Sequence, residues 1–152
     1  QCPYNQGANW TSSLELGIRL INWSIIWDLI GGSDSELFNT SEGSKLLKNW
    51  LTSIYQHCYF IIHHFSRYSS ANNHLIGEAA GLFIATTIWP FWDDFKKWQN
   101  IAYEELCVEA SKQNYPDGVN KEQSISYQQF VLDFLLLAGL AGKRNDMNFP
   151  DN

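Results

Sequence analysis

The sequence predicts an all-α fold built from antiparallel helical hairpins. Apolar residues recur every three or four positions in segment after segment, and no alternating strand pattern survives. Turn-forming residues at Gly31-Gly32, Pro90 and Pro116-Asp117-Gly118 punctuate the chain. With 45% apolar and 17% charged residues among 152, it has material for one packed core and is not a disordered segment.

A first helix is predicted over about 13–30, with Thr11, Ser12 and Ser13 as cap candidates and Gly31-Gly32 as its stop. Leu14, Leu16, Ile18, Leu20, Ile21, Trp23, Ile25, Ile26 and Leu29 cover nearly its whole circumference, the mark of a buried helix. Ser12, Glu15, Arg19 and Asn22 form a narrow polar stripe. A charged stripe on a buried helix must be paired or face water. Either Glu15 and Arg19 pair at i,i+4, or the stripe lines a polar groove.

A second helix is predicted over about 43–67, with Leu47, Leu51, Ile54, Cys58, Ile61, Ile62 and Phe65 on one face. The third begins near His74 and stops before Pro90, and Gly77, Ala80 and Gly81 leave room for close helix contact. The fourth starts near Phe91, turns Phe95, Trp98, Ala102 and Leu106 inward and shows Asp93, Asp94, Lys96 and Lys97 to solvent. The fifth opens at about Ser124, with Tyr127, Phe130, Val131, Phe134, Leu135 and Ala138 on one side. Short polar turns make neighbours antiparallel, which suits a bundle, a solenoid or a toroid equally.

Net charge is −6 and the isoelectric point about 5.0. No Lys/Arg cluster follows a phosphate backbone, so nucleic acid is not an expected partner. An acidic polymer would need a locally basic or neutral site. No apolar run approaches the ~20 residues of a membrane span; Phe134 to Ala141 is the densest. Gln1-Cys2-Pro3-Tyr4 has neither the basic start nor the apolar stretch of a signal peptide. Cys2, Cys58 and Cys107 form no metal or redox motif; the last two fall on apolar helix faces, where a free thiol is expected. His57, His63 and His64 show no ligand pattern, and no cofactor or metal is expected. Seven Trp are enough both to fill a core and to stack on sugars.

Two loop-to-helix junctions concentrate functional groups. One is Ser69-Ser70-Ala71-Asn72-Asn73-His74 with Glu78 a turn later; the other runs from Asp117 through Glu122, Gln123 and Ser124 to Tyr127. Helix N-termini favour anions. Asn, His and Tyr together suit proton abstraction beside a carboxylate. A neutral amide or a protonated imidazole holds the carboxyl group while charge moves onto it, and a phenolate takes the proton. The plainer account makes Asn72 and Asn73 ordinary cap residues and Tyr127 a core tyrosine.

Three segments in order resemble the heparinase II/III family of polysaccharide lyases. Gly7-Ala8-Asn9-Trp10, running into Ser13-Leu14-Glu15, Ile18-Arg19 and Asn22-Trp23, is similar to the opening of that family's helical domain. Tyr68 to Glu78 resembles its central motif, and Glu122-Gln123-Ser124 with Tyr127 its catalytic-tyrosine motif. The resemblance implies part of an incomplete (α/α) toroid that a β-sandwich follows in the same parent chain. It further implies β-elimination on a uronic-acid-containing polysaccharide, an acidic polymer such as heparan sulfate or alginate, and a periplasmic or secreted location. By the same carry-over Asn73, with His74, neutralises the uronate carboxylate, and Tyr127 is the base or acid. Glu122, Gln123, Arg19 and Trp23 become groove residues, and Glu78 braces the Asn-Asn-His turn. Gln128 departs from the pattern, since many members place His after the tyrosine. Residues 1–152 are thus expected to be one helical domain of a longer lyase, inactive alone.

Overall fold

The structure, a computed structural model, describes residues 3–68 and 71–150. Five helices make up almost all of it: α1 Ser13–Leu29, α2 Ser41–His63, α3 Asn73–Ile88, α4 Asp93–Gln113 and α5 Ile125–Arg144. No strand occurs among the described residues.

The middle helix is the hub. From Leu75 to Thr87 every residue of α3 is buried, because α1, α2, α4 and α5 all pack against it. Small residues allow the approach: a Cβ added to Gly17 of α1 would lie 2.7 Å from the Gly77 carbonyl oxygen. Contacts between the helices set their directions. Leu14 meets Gly77 and Trp27 meets Trp89, so α1 runs parallel to α3. Asn73 meets Glu122 and Gly77 meets Phe134, so α5 advances with α3 as well. Thr87 bonds Gln99 and Asn72 bonds Gln113, so α4 is antiparallel to it. The α2 helix returns against α1, with Ser13 bonding the His64 carbonyl. Parallel α1, α3 and α5 therefore start at one common end. The all-α expectation holds, with helical hairpins packed as part of a toroid would be.

Local chemistry explains the boundaries. Ser12 accepts a hydrogen bond from the Glu15 N–H and caps α1, and Thr40 does the same for α2 through the Gly43 N–H. Gly31, at φ 90°, ends the α1 segment in a left-handed turn that favours glycine. Asp93 and Asp94 sit in the first turn of α4, where the helix dipole favours them.

Two sequence expectations need correction. The second helix stops at His63, not near 67, because Ser66 must leave the helix to reach Glu78. The first helix is not buried all round: Ile25, Ile26 and Leu29 are exposed. Among the described residues α1 packs mainly against α2 and α3, which cover only part of its circumference.

The tryptophans go chiefly to the core. Trp10, Trp27, Trp89 and Trp98 are buried, and Trp23, Trp50 and Trp92 half-buried. Trp27, Trp50 and Trp89 meet edge to face at centroid distances of 5.6 and 5.8 Å, which pins the C-terminal end of α1 to that of α3. After α5 the chain turns back, and Phe149 packs on Phe83 and Tyr103. Cys58 is buried and Cys107 half-buried, both free thiols, with Cys58 pushed well above the usual thiol range by burial. Cys2 lies outside the described residues. By length and composition α5 could cross a membrane, with a mean hydropathy of 1.3. Gln128, Gln129 and Asp133 interrupt it, and Val131, Phe134 and Ala138 pack inward, so it is not a clear span.

Candidate active site

The common end of α1, α3 and α5 brings the two junctions together. Asn73, the first residue of α3, is only 7% exposed. Its Nδ2 donates to both oxygens of Glu122, at 2.9 and 3.0 Å, and its backbone N–H donates to Glu122 Oε1 at 2.9 Å. Glu122 thus caps α3 from a loop 49 residues away, where its charge also meets the positive end of the helix dipole. The expected cap, Asn72, makes no side-chain cap bond. Asn73 does not cap by its own side chain either; its amide is spent on Glu122.

The loop that carries Glu122 is built as rigidly. Asn120, 1% exposed, accepts from the Glu122 N–H at 3.0 Å through Oδ1 and donates to Asn114 Oδ1 at 3.2 Å. Gln128 closes the loop: its Oε1 accepts from the Asn120 N–H at 2.6 Å and its Nε2 donates to the Gly118 carbonyl at 3.1 Å. The departure at position 128 therefore has a structural job here. Gln123 takes a left-handed φ of 55°, with its N–H bonded to the Asn120 carbonyl at 3.1 Å, and points outward exposed.

Tyr127 follows five residues after Glu122, in the first turn of α5. It shares a face with Val131 and Phe134, yet it is 46% exposed while those two are buried. The helix face runs out of the core at its first turn, so the core-tyrosine reading is overturned. His74, next to Asn73, is half-buried. Glu78 is fully buried and accepts from Ser66 twice, N–H at 2.8 Å and Oγ at 2.6 Å. Burial pushes its carboxyl above the usual range, and the two Ser66 bonds pull the other way. Glu78 ties the start of the 64–72 loop to α3; Ser69 and Ser70 of that loop lie outside the described residues.

Arg19 and Trp23 fall in a different cluster. Arg19 does not pair with Glu15; its Nη1 donates to the Asn9 carbonyl at 2.8 Å. Trp10 and Trp23 each hold a ring centroid 4.8 Å from that of His57. His57 is 5% exposed and its Nδ1 lies 2.7 Å from the Ser53 carbonyl, which makes Nδ1 the protonated nitrogen. Burial lowers its pKa to about 4, against the opposing pull of the Ser53 bond, and the nearby Arg19 charge lowers it further. The sequence shows no ligand pattern at this histidine and gives no sign of its aromatic neighbours. Trp10, Trp23 and His57 stand on three separate elements and meet only when these pack together.

All-helical packing with α1, α3 and α5 starting at one end is consistent with part of an all-α toroid. A family model described as Heparinase II/III N-terminus matches residues 1–151, and the chain belongs to that family. It is similar to the heparin-sulfate lyase of Pedobacter heparinus, 26% identical over 97% of this chain and 24% of the relative. It also resembles the heparin-sulfate lyase of Bacteroides thetaiotaomicron, 38% identical over 44% of this chain and 10% of that relative. The chain spans about a quarter of the length of the first of these relatives. No solved structure matches it.

Proposed function

We propose that this chain is the helical part of a longer polysaccharide lyase that cleaves a uronic-acid-containing polymer by β-elimination. The observation that supports the reading is the contact between Asn73 and Glu122, which joins the start of α3 to the loop five residues ahead of the exposed Tyr127. The names of the two relatives favour a heparan-sulfate-like substrate.

In this reaction a base takes the proton beside the uronate carboxylate, the neighbouring carbon–oxygen bond breaks, and a carbon–carbon double bond forms in the sugar. The carboxylate must be neutralised while charge builds on it. Asn73 and His74 at the start of α3 do this with help from the helix dipole. Because Glu122 accepts from the same N–H groups, the sugar carboxylate must take its place or share them. Tyr127 removes the proton or returns one to the leaving oxygen. Gln123, exposed beside Glu122, meets the polymer at the rim. Arg19 and Trp23, both on α1, are groove residues in the same reading. The remaining groove, a following β-sandwich in the parent chain and a periplasmic or secreted location belong to the same reading.

The test uses the whole protein with heparan sulfate and alginate, following ultraviolet absorbance of the unsaturated uronate product. Tyr127→Phe should lower turnover by about 10²- to 10⁴-fold and leave glycan affinity unchanged. The isolated 152-residue chain should bind without cleaving. Glycan binding with no unsaturated product from the whole protein would favour a carbohydrate-binding toroid instead.

A further inference from the structure

The turn that delivers Asn73 is gripped from behind as well as from the front. Gln113, the last residue of α4, sends its Nε2 to the Ala71 carbonyl at 2.8 Å and the Asn72 carbonyl at 2.9 Å. These are the two residues immediately ahead of Asn73. The same nitrogen lies 2.7 Å from Glu109 Oε2, so its two hydrogens are shared among three acceptors, and the other Glu109 oxygen accepts from Lys112 at 2.9 Å.

Gln113 is 8% exposed and Glu109 3% exposed, so neither reaches a polymer from where it stands. Their bonding fixes which way the amide points. A carboxylate oxygen accepts only, so Glu109 demands the donor end of Gln113. Two carbonyls of the turn demand a donor too. Among the described residues the opposite atom, Gln113 Oε1, is buried without a partner.

We propose that Gln113 is a positioning residue for the Asn73 amide, with Glu109 holding Gln113 in its working orientation. The proposal rests on the lyase reading for its catalytic consequence. The geometry stands apart from that reading. Glu122 pulls Asn73 from the solvent side of the turn, and Gln113 holds the two preceding peptide planes from the α4 side. Removing the rear grip lets the turn shift, and misplacement by about 1 Å can cost on the order of 10²-fold in rate. Substrate binding, spread along a polymer groove, does not depend on that shift.

In the whole protein, Gln113→Leu removes both donors at similar volume. It should lower kcat between about 10-fold and 100-fold while KM stays within about twofold. Glu109→Gln retains the fold's hydrogen-bonding capacity but frees the Gln113 amide to turn over. It should show the same split with a smaller loss in kcat, and it decides the matter if Gln113→Leu does not fold. Hydrogen exchange supplies a readout independent of activity. Both variants should speed exchange in a peptide spanning residues 71–75 and leave the start of α5 unchanged. Wild-type kcat in both variants, or unchanged exchange at residues 71–75, overturns the proposal. Absence of any unsaturated product from the wild type, with exchange altered as expected, sinks the lyase reading and leaves the positioning contact in place.

Discussion

Asn73 and Tyr127 stand at the same end of two parallel helices, yet the fold treats them in opposite ways. The amide is 7% exposed and bonded three times to Glu122, counting its own backbone N–H. The phenol is 46% exposed, and among the described residues its hydroxyl has no side-chain hydrogen bond. One group is part of the framework and the other is carried by it. On the proposed lyase reading, the contrast is a division of labour. A residue that receives developing charge works best when fixed in advance, because nothing then reorganises during reaction. A proton-transfer group must meet the substrate and so must remain accessible. The framework role also means that Asn73 cannot be altered without disturbing structure, whereas Tyr127 can.

That difference predicts an ordered set of stability effects, and the largest sets the conditions for measuring the others. His57 is held neutral by burial, its pKa lowered from 6.5 to about 4. Its depressed folded value means that stability is whole above pH 6.5 and declines as pH falls toward 4, where the unfolded chain takes up the proton first. The loss should approach roughly 3 kcal/mol by pH 4. Urea unfolding across that window checks it, and His57→Phe should flatten the slope. The comparison of the two site residues is therefore to be made at neutral pH.

There, Asn73→Ala should lower stability by about 1–3 kcal/mol, since a part-buried carboxylate loses its side-chain donor. Glu122→Gln should come next, at about 1 kcal/mol, because one carbonyl oxygen still accepts but the charge facing the helix dipole is gone. Tyr127→Phe should fall within about 0.5 kcal/mol of wild type, as an exposed hydroxyl without partners contributes little. Equal losses for Asn73→Ala and Tyr127→Phe in chemical denaturation would erase the contrast. A loss from Glu122→Gln larger than that from Asn73→Ala would mean that the carboxylate, not the amide, is the keystone.

Much of the fold was legible because helix periodicity is local. Ile54, Cys58 and Ile61 face inward as their spacing requires, and so do Phe95, Trp98, Ala102 and Leu106. Small residues at Gly77, Ala80 and Gly81 correctly signalled the close contact of α3 with α1. Asn73 and Tyr127 were readable as candidates because each stands at a helix start beside polar neighbours. The residues that hold them were harder to see. Glu122 looked like a groove residue, and nothing in its surroundings along the chain says that it caps a helix 49 residues away. Gln113 carries no motif, and nothing near it in the chain points to the turn at Ala71 and Asn72 that it holds. The spacing of Tyr127 matches its buried neighbours Val131 and Phe134, so periodicity alone put it in the core.

Five helices, their approximate ends and their inward faces follow from the order of the residues, because backbone hydrogen bonding and side-chain rotation about a helix are settled within a few positions. Which helix faces stay open, where α2 lets go of its last turn, and which carboxylate grips Asn73 depend on partners far apart in the chain. Those were decided by packing on α3, since only a completed neighbour determines whether a side chain meets protein or water.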